Sequence, residues 1–225
     1  FLNIEHYVEE VEQVRIALGL GRENFYLYGH SWGGILAIEY ALKYQQHLKG
    51  LAISNMMSSI PAYNRYAHDV LMPKMDPATL KEILALEAAK QYDNPRYEEL
   101  LLPYYEAHLL RRPAAEWPEP VLRSYVRHIN KKVYVPMQGP SEMGASGILL
   151  HWDRTADLKR ITVPTLVIAG QHDTMDPAWM RMMSKQVPRG DFLLLPNSGH
   201  MPMYDDQQMF FDGLLGWMHR VDDAR

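Results

Sequence analysis

The chain has 225 residues, of which 47% are hydrophobic and 22% are charged, which is the composition of an ordinary globular protein. Its net charge of −4 and the lack of a Lys/Arg-rich run argue against nucleic acid or a membrane surface as a partner. The absence of cysteine excludes disulfides, thiolate metal sites and a cysteine nucleophile, and it favours a cytoplasmic location. No His, Asp or Glu cluster has metal-ligand spacing, so we expect no metal or other cofactor.

The first predicted element is a helix that Asn3 caps and that Gly19 or Gly21 ends, because apolar residues recur at helical spacing between them. Phe1 is not an initiator Met, and the helix follows it almost at once. We therefore expect the chain to be part of something longer. In that case the N-terminal strands of its fold are absent from this sequence, or a separate chain or segment supplies them.

The next stretch has the pattern of a nucleophile elbow. Residues 25–28 predict a buried strand, residues 33–44 predict an apolar helix, and Gly29-x-Ser31-x-Gly33 joins them. A serine on so tight a turn has a strained backbone and an exposed hydroxyl, and both glycines are expected to let the strand and helix backbones approach. The pattern therefore favours Ser31 as a catalytic nucleophile over an accidental turn.

The pattern of the chain indicates three parts. Strand and helix signals alternate up to a second strand predicted at 48–54, which implies parallel pairing in a first core segment, residues 1–55. Residues 56–150 contain helical stretches, repeated prolines and many Tyr and Met residues, and they predict a helical cap. Most of its aromatic residues are expected in the cap's own core, with some facing a pocket. The alternation resumes in a second core segment, residues 151–225.

Two later loops supply the partners that an activated serine needs. Asp173 follows a strand predicted at 163–170, and His200 follows another predicted at 192–195. Loops at the carboxyl ends of parallel strands share one edge of the sheet. We therefore expect Ser31, Asp173 and His200 to meet there as nucleophile, orienting acid and base.

Other residues near these positions have alternative interpretations. Asp176 competes with Asp173 as the acid, but it stands at a predicted helix start and has a ready capping role. We interpret His30 and His172 as packing or supporting residues. The backbone N–H of Trp32 is expected to face the oxyanion. A second donor should come from a loop after an earlier strand, so we expect these residues alone to be poorly active or inactive.

The order serine, acid, histidine resembles the α/β-hydrolase superfamily. Within it, the chain is similar to the proline iminopeptidase (prolyl aminopeptidase) family along essentially its whole length. The resemblance is carried by the elbow at 29–34, by Gly139-Pro140-Ser141-Glu142, by Trp152-Asp153 and by the Asp173 and His200 loops.

This resemblance implies an α/β-hydrolase fold, a mostly parallel sheet flanked by helices with an inserted helical cap. It also implies a serine aminopeptidase that removes an N-terminal residue, often proline, from short peptides with a free N-terminus. Enzymes of this family carry a His-Gly-Gly-Pro-Gly loop for the oxyanion, and that loop is not in this sequence.

The resemblance also gives Glu142 a role. A cap carboxylate in a partly dry pocket can pair with a substrate α-ammonium and exclude a blocked amine. The family usually has a second cap acid, for which Glu116, Glu106 and Glu87 are candidates that the sequence does not separate; we assign Glu116 to the site with Glu142. For each of them, a solvated surface glutamate is the alternative.

Two other functions remain open. A carboxylester or amide hydrolase on the same scaffold would use the same three residues without free-amine specificity, and Glu142 would then have no ammonium to bind. A hydrolase-fold binding protein would carry out no turnover. Epoxide and haloalkane hydrolases are disfavoured, because those enzymes have Asp where this chain has Ser31.

Overall fold

A parallel sheet forms the centre of the structure, a computed structural model that describes residues 2–224. Its strands are β1 (Tyr26–His30), β2 (Gly50–Ser54), β3 (Thr165–Gly170) and β4 (Gly190–Leu195), and they neighbour one another in that order. Every pairing between them is parallel. Because β2 and β3 are buried along their whole length, they read in the sequence as continuous apolar runs.

Helices flank this sheet and fill the connection between β2 and β3. In chain order they are α1 (Ile4–Ala17), α2 (Trp32–Tyr44), α3 (Ile60–Tyr66), α4 (Pro77–Ala88), α5 (Pro95–His108), α6 (Glu119–Val121), α7 (Lys131–Met137), α8 (Pro177–Gln186), α9 (Pro202–Asp205) and α10 (Gln207–Asp223). One face of the sheet packs against α1, α2 and α8, and the other packs against α10. The predicted parallel sheet with flanking helices is confirmed. No helix in residues 2–224 has both the length and the apolar character needed to cross a bilayer.

Local signals set the ends of the first elements. The side chain of Asn3 accepts a hydrogen bond of 2.9 Å from the N–H of His6, which is the expected cap of α1. The helix ends at Ala17, and Gly19 follows with a φ of 63°, a left-handed conformation that glycine adopts at little cost. Strand β1 extends two residues beyond the predicted end, because its ladder with β2 continues to His30.

The stretch between β2 and β3 forms helices and short turns with apolar clusters of its own. No named strand lies between Ser54 and Thr165 within the described chain. One cluster combines buried residues of the α4–α5 region with Met143. A second cluster, around Trp117, also includes Met201 from the loop after β4. This stretch between β2 and β3, the helical insertion, therefore packs directly against that loop.

Backbone hydrogen bonds join the same two regions. The N–H of His200 donates to the carbonyl of His108 over 2.8 Å, and the N–H of Met201 donates to the carbonyl of Leu109 over 3.0 Å. Both carbonyls stand at the C-terminal end of α5, where helical carbonyls lack intrahelical partners. A Cβ at Gly199 would lie 2.5 Å from the His108 carbonyl oxygen, so glycine permits this close approach.

Trp217 anchors α10 to the sheet. It is 1% exposed, and its ring meets that of Tyr26 edge-on at 5.9 Å between centroids. A Cβ at Gly50 would lie 2.8 Å from the Trp217 ring, so a glycine in β2 makes room for the indole. Because the interior is densely packed, the stability of the protein is sensitive to any loss of side-chain volume at Trp217.

Replacing Trp217 by Ala should lower the free energy of unfolding by about 3–5 kcal/mol, since it leaves a large cavity between α10 and the sheet. Urea unfolding followed by circular dichroism measures this change. Leu215→Ala on the same helix is the matched control, because Leu215 is 49% exposed and its truncation should cost far less. Equal losses in the two variants would contradict the packing assigned to Trp217.

Candidate active site

Ser31 lies on a strained turn between β1 and α2. Its φ of 56° and ψ of −128° are unfavourable for a residue with a side chain, and strain of this kind costs about 1–3 kcal/mol. A Cβ at Gly29 would lie 2.1 Å from the Gly33 carbonyl oxygen, which explains the first glycine of the motif. The expectation for the second glycine needs correction, because nothing lies within 4 Å of a Cβ at Gly33. The close approach occurs instead at Gly34, whose Cβ would lie 2.6 Å from that of Met56.

The structure brings Ser31, His200 and Asp173 together at the carboxyl edge of the sheet. His200 Nδ1 donates to Asp173 Oδ1 over 2.8 Å, so its Nε2 is left as an acceptor when the ring is neutral. Ser31 Oγ lies 2.8 Å from this Nε2 and can donate its proton to it. Asp173 is 0% exposed and His200 is 2% exposed, so solvent hardly reaches the pair.

The two buried groups tune each other's ionisation. Burial opposes protonation of His200, but the charge and hydrogen bond of Asp173, with a smaller contribution from the charge of Glu142, raise the pKa of His200 above its usual value. Burial likewise opposes ionisation of Asp173. The charge and hydrogen bond of His200 and the amide of Asn55 outweigh it, and the pKa of Asp173 is lowered. Asp173 therefore remains anionic at neutral pH and favours a positive charge on the imidazole.

His30 supports the loop of His200. Its Nε2 lies 2.7 Å from the His200 carbonyl oxygen, and since a carbonyl only accepts, this nitrogen carries the proton. Burial, with the neighbouring charge of His200, lowers the pKa of His30 to about 4. His30 is thus neutral near pH 7. The carbonyl of His172 accepts a hydrogen bond of 2.7 Å from His108 Nδ1, so His172 also holds a loop of the site through its backbone.

Asn55 is a site residue that the sequence interpretation missed. It directly follows β2, is 0% exposed and has a φ of 54°. Its Nδ2 donates to Asp173 Oδ2 over 2.7 Å and to the Gly199 carbonyl over 3.3 Å. Its position after a parallel strand, at the same edge as Ser31, was the available signal.

Asp176, the competing acid, has a different place. Its Oδ1 accepts a hydrogen bond of 2.9 Å from the N–H of Ala178 and so caps α8.

Trp32 is the first residue of α2, where backbone N–H groups lack intrahelical acceptors. Its N–H is therefore a candidate donor to an anion next to Ser31.

Glu142 is a second buried carboxylate, 4% exposed. The hydroxyls of Tyr125 and Tyr134 donate to its Oε1 over 2.9 and 2.5 Å, and its backbone carbonyl accepts from Tyr63 over 2.8 Å. Burial and the charge of Glu142 raise the pKa of both Tyr125 and Tyr134 well above its usual value, so they remain protonated donors. In the described part of the chain, the hydrogen-bond partners of this carboxylate are neutral hydroxyls and not Lys or Arg.

The structure places Glu116 at the end of a short turn, Ala114–Glu116, with its side chain exposed. Its assignment to the site with Glu142 stays a prediction. Glu106 Oε1 accepts a hydrogen bond of 2.7 Å from the N–H of Ala114, which holds that turn. Glu87 Oε1 accepts a hydrogen bond of 3.1 Å from the hydroxyl of Ser141, the residue directly before Glu142.

Among residues 2–224, no group of three or more His, Asp or Glu side chains is arranged to hold a metal ion.

Comparisons with known proteins identify the family and the fold of the chain. Residues 2–212 match the model of the alpha/beta hydrolase family. The chain is 51% identical over 223 residues to the proline iminopeptidase of Flavobacterium johnsoniae, covering 99% of this chain and 74% of that protein. Among solved structures, VinJ superposes with a TM-score of 0.91 at 26% identity, covering 98% of this chain and 74% of VinJ.

A proline iminopeptidase from Mycobacterium smegmatis also superposes, with a TM-score of 0.84 at 28% identity, over 100% of this chain and 74% of that structure. The family match spans nearly the whole sequence, and the likeness to the Flavobacterium protein includes both core segments and the helical insertion. The predicted α/β-hydrolase fold is thereby confirmed. The chain belongs to the proline iminopeptidase family of α/β-hydrolases.

Proposed function

We propose that this prolyl aminopeptidase-like hydrolase releases an N-terminal residue, preferably proline, from short peptides through a Ser31–His200–Asp173 triad and an acyl-enzyme. The observation that carries the proposal is the continuous hydrogen-bonded line from Ser31 Oγ to the buried carboxylate of Asp173. The names of the related iminopeptidases support the substrate class.

The first half of the reaction forms the acyl-enzyme. Ser31 Oγ attacks the carbonyl carbon of the N-terminal residue while His200 Nε2 takes its proton. The resulting imidazolium is stabilised by Asp173, and the N–H of Trp32 donates to the oxyanion, a contact worth about 10²–10³ in rate. His200 then gives its proton to the departing amine as the C–N bond breaks.

The second half returns the enzyme to its starting state. Water enters after the shortened peptide has left, and His200 Nε2 removes a proton from it as it attacks the ester carbonyl. The tetrahedral intermediate collapses, the C–O bond to Ser31 breaks, and His200 returns a proton to the serine oxygen. The free amino acid leaves.

Glu142 gives the enzyme its preference for a free N-terminus. Two tyrosine hydroxyls hold one oxygen of its carboxylate, and they are neutral, so the negative charge remains available to a substrate ammonium. The charge of Glu142 also contributes to the raised pKa of His200. In this proposal, a substrate whose amine is held by Glu142 presents the carbonyl of its first residue to Ser31.

Replacing Ser31 by Ala should lower kcat by about 10⁶, because no other group can form the acyl-enzyme. Turnover of a prolyl arylamide by the full-length protein measures this loss, and mass spectrometry after treatment with a serine-directed phosphonate should find the adduct at Ser31. Ser124→Ala is the matched control, since Ser124 is exposed and its hydroxyl donates to the Pro120 carbonyl. Labelling of the Ser31→Ala variant at another serine, with activity retained, would rule out this nucleophile.

The pH dependence of kcat/KM should have its acidic limb above 6.5, the ordinary pKa of histidine. His200 must be neutral to accept the serine proton, and its raised pKa means that activity is lost as the pH falls through that higher value. Asp173→Asn should move the limb to lower pH and lower kcat by about 10⁴. Asp176→Asn serves as the control and should leave the limb in place. A wild-type limb at or below 6.5 would contradict the coupling between His200 and Asp173.

Glu142→Gln should lower kcat/KM for a free-amine substrate by about 10²–10⁴, the cost of breaking a buried ion pair. The wild-type enzyme should strongly prefer prolyl arylamide over its N-acetylated form, and this preference should fall toward unity in the variant. Glu119→Gln, at an exposed glutamate of the insertion, is the control and should behave like wild type. Equal turnover of both substrates by the wild-type enzyme would favour an ester or amide hydrolase without amine specificity.

A further inference from the structure

The end of β2 contacts all three loops that carry the proposed triad. The Ser54 carbonyl accepts a hydrogen bond of 3.0 Å from the N–H of Ser31. The next residue, Asn55, reaches the other two loops with its side chain, at Asp173 Oδ2 over 2.7 Å and at the Gly199 carbonyl over 3.3 Å. Two consecutive residues therefore fix the nucleophile, the acid and the histidine loop relative to one another.

The orientation of the Asn55 amide is determined by its neighbours. The Asp173 carboxylate and the Gly199 carbonyl only accept hydrogen bonds, so the NH₂ end of Asn55 must face them. The amide oxygen Oδ1 then faces Ser54 Oγ, whose hydroxyl donates to it over 2.7 Å. The backbone N–H of Asn55 donates to the Ile168 carbonyl over 2.8 Å, which holds the residue against β3.

The backbone conformation of Asn55 is also specific. Its φ of 54° lies in the left-handed region, which Asn adopts more readily than most residues with a side chain. The position thus needs a residue that tolerates this conformation and also carries a donor of the right length. Gly would satisfy the first requirement alone, and Ala would satisfy neither.

The hydrogen bond from Asn55 to Asp173 fixes the plane of the Asp173 carboxylate, which the hydrogen bond from His200 alone does not fix. His200 holds only Oδ1 of the carboxylate, and rotation about the χ2 angle of an Asp is soft. A second attachment at Oδ2, from Asn55, fixes the plane of the carboxylate. The bond to the Gly199 carbonyl fixes the residue directly before His200.

We propose that Asn55 is a positioning residue that holds the Asp173 carboxylate and the His200 loop in line with Ser31. This inference rests on the triad of the proposed function. Asn55 does not touch the substrate; it acts through Asp173 and His200, and so it should affect the chemical step and not substrate binding.

The test compares Asn55→Gly with Asn55→Ala in the full-length protein, with Asn197→Ala as the control. Asn197 is an exposed Asn three residues before His200, and its amide bonds Asp206. Both Asn55 variants should lower kcat for prolyl arylamide about 10- to 100-fold, as loss of a supporting hydrogen bond does elsewhere. KM should stay within about two-fold in both, as expected when only transition-state interactions are lost.

Two further measurements separate positioning from folding. The rate at which a serine-directed phosphonate labels Ser31 should fall by the same factor as kcat in both variants. The downfield proton resonance of His200 Nδ1–H should broaden or disappear. Urea unfolding should separate the two variants, because only Ala adds backbone strain at this φ.

Wild-type kcat and phosphonate reactivity in Asn55→Gly would overturn the positioning role, since only the amide is lost there without added strain. Phosphonate labelling does not depend on the identity of the substrate. If wild type is labelled at Ser31 but does not turn over the prolyl arylamide, the proposed substrate class is wrong, and the labelling rates still decide the role of Asn55.

Discussion

Asp173 carries a negative charge at a position that solvent does not reach, and the carboxyl edge of the sheet is arranged to keep it ionised. Burying a lone carboxylate costs several kcal/mol, so such a group persists only with partners on every side. Here His200 and Thr174 bond one oxygen, Asn55 bonds the other, and the N–H of Met175 adds a further contact. The imidazole orientation follows from this set of bonds, and the direction in which His200 presents its free nitrogen to Ser31 follows from that orientation.

Glu142 is also a buried carboxylate, but its hydrogen-bond partners differ from those of Asp173. Among the described residues, its side-chain partners are the hydroxyls of Tyr125 and Tyr134, which stabilise a charge without neutralising it. The same sequence thus contains one buried acid bonded to a histidine and one bonded to two tyrosine hydroxyls. In the proposed reaction, the first supports proton transfer and the second selects the substrate.

The meeting of the three proposed triad residues was predictable, because it follows from their positions along the chain relative to the strands. Ser31, Asp173 and His200 each follow a buried apolar run, and parallel strands place such positions at one edge. Asn55 follows the same rule, but a polar residue at a strand end is usually a simple turn, and its role depends on a contact across 118 residues of sequence. Glu116 could not be placed, because irregular turns within the insertion decide which way each glutamate faces, and no periodicity records them.

The two backbone bonds from the end of α5 to the histidine loop restrict how the helical insertion can move. His108 and Leu109 cannot separate from His200 and Met201 without displacing the imidazole from Ser31. A movement of the insertion that keeps these two bonds must therefore pivot about this point, with larger displacements in parts of the insertion farther from it. Changes in length are accordingly easier to accommodate in the turns that precede α5 than at residues 108–109, whose carbonyls hold the His200 loop.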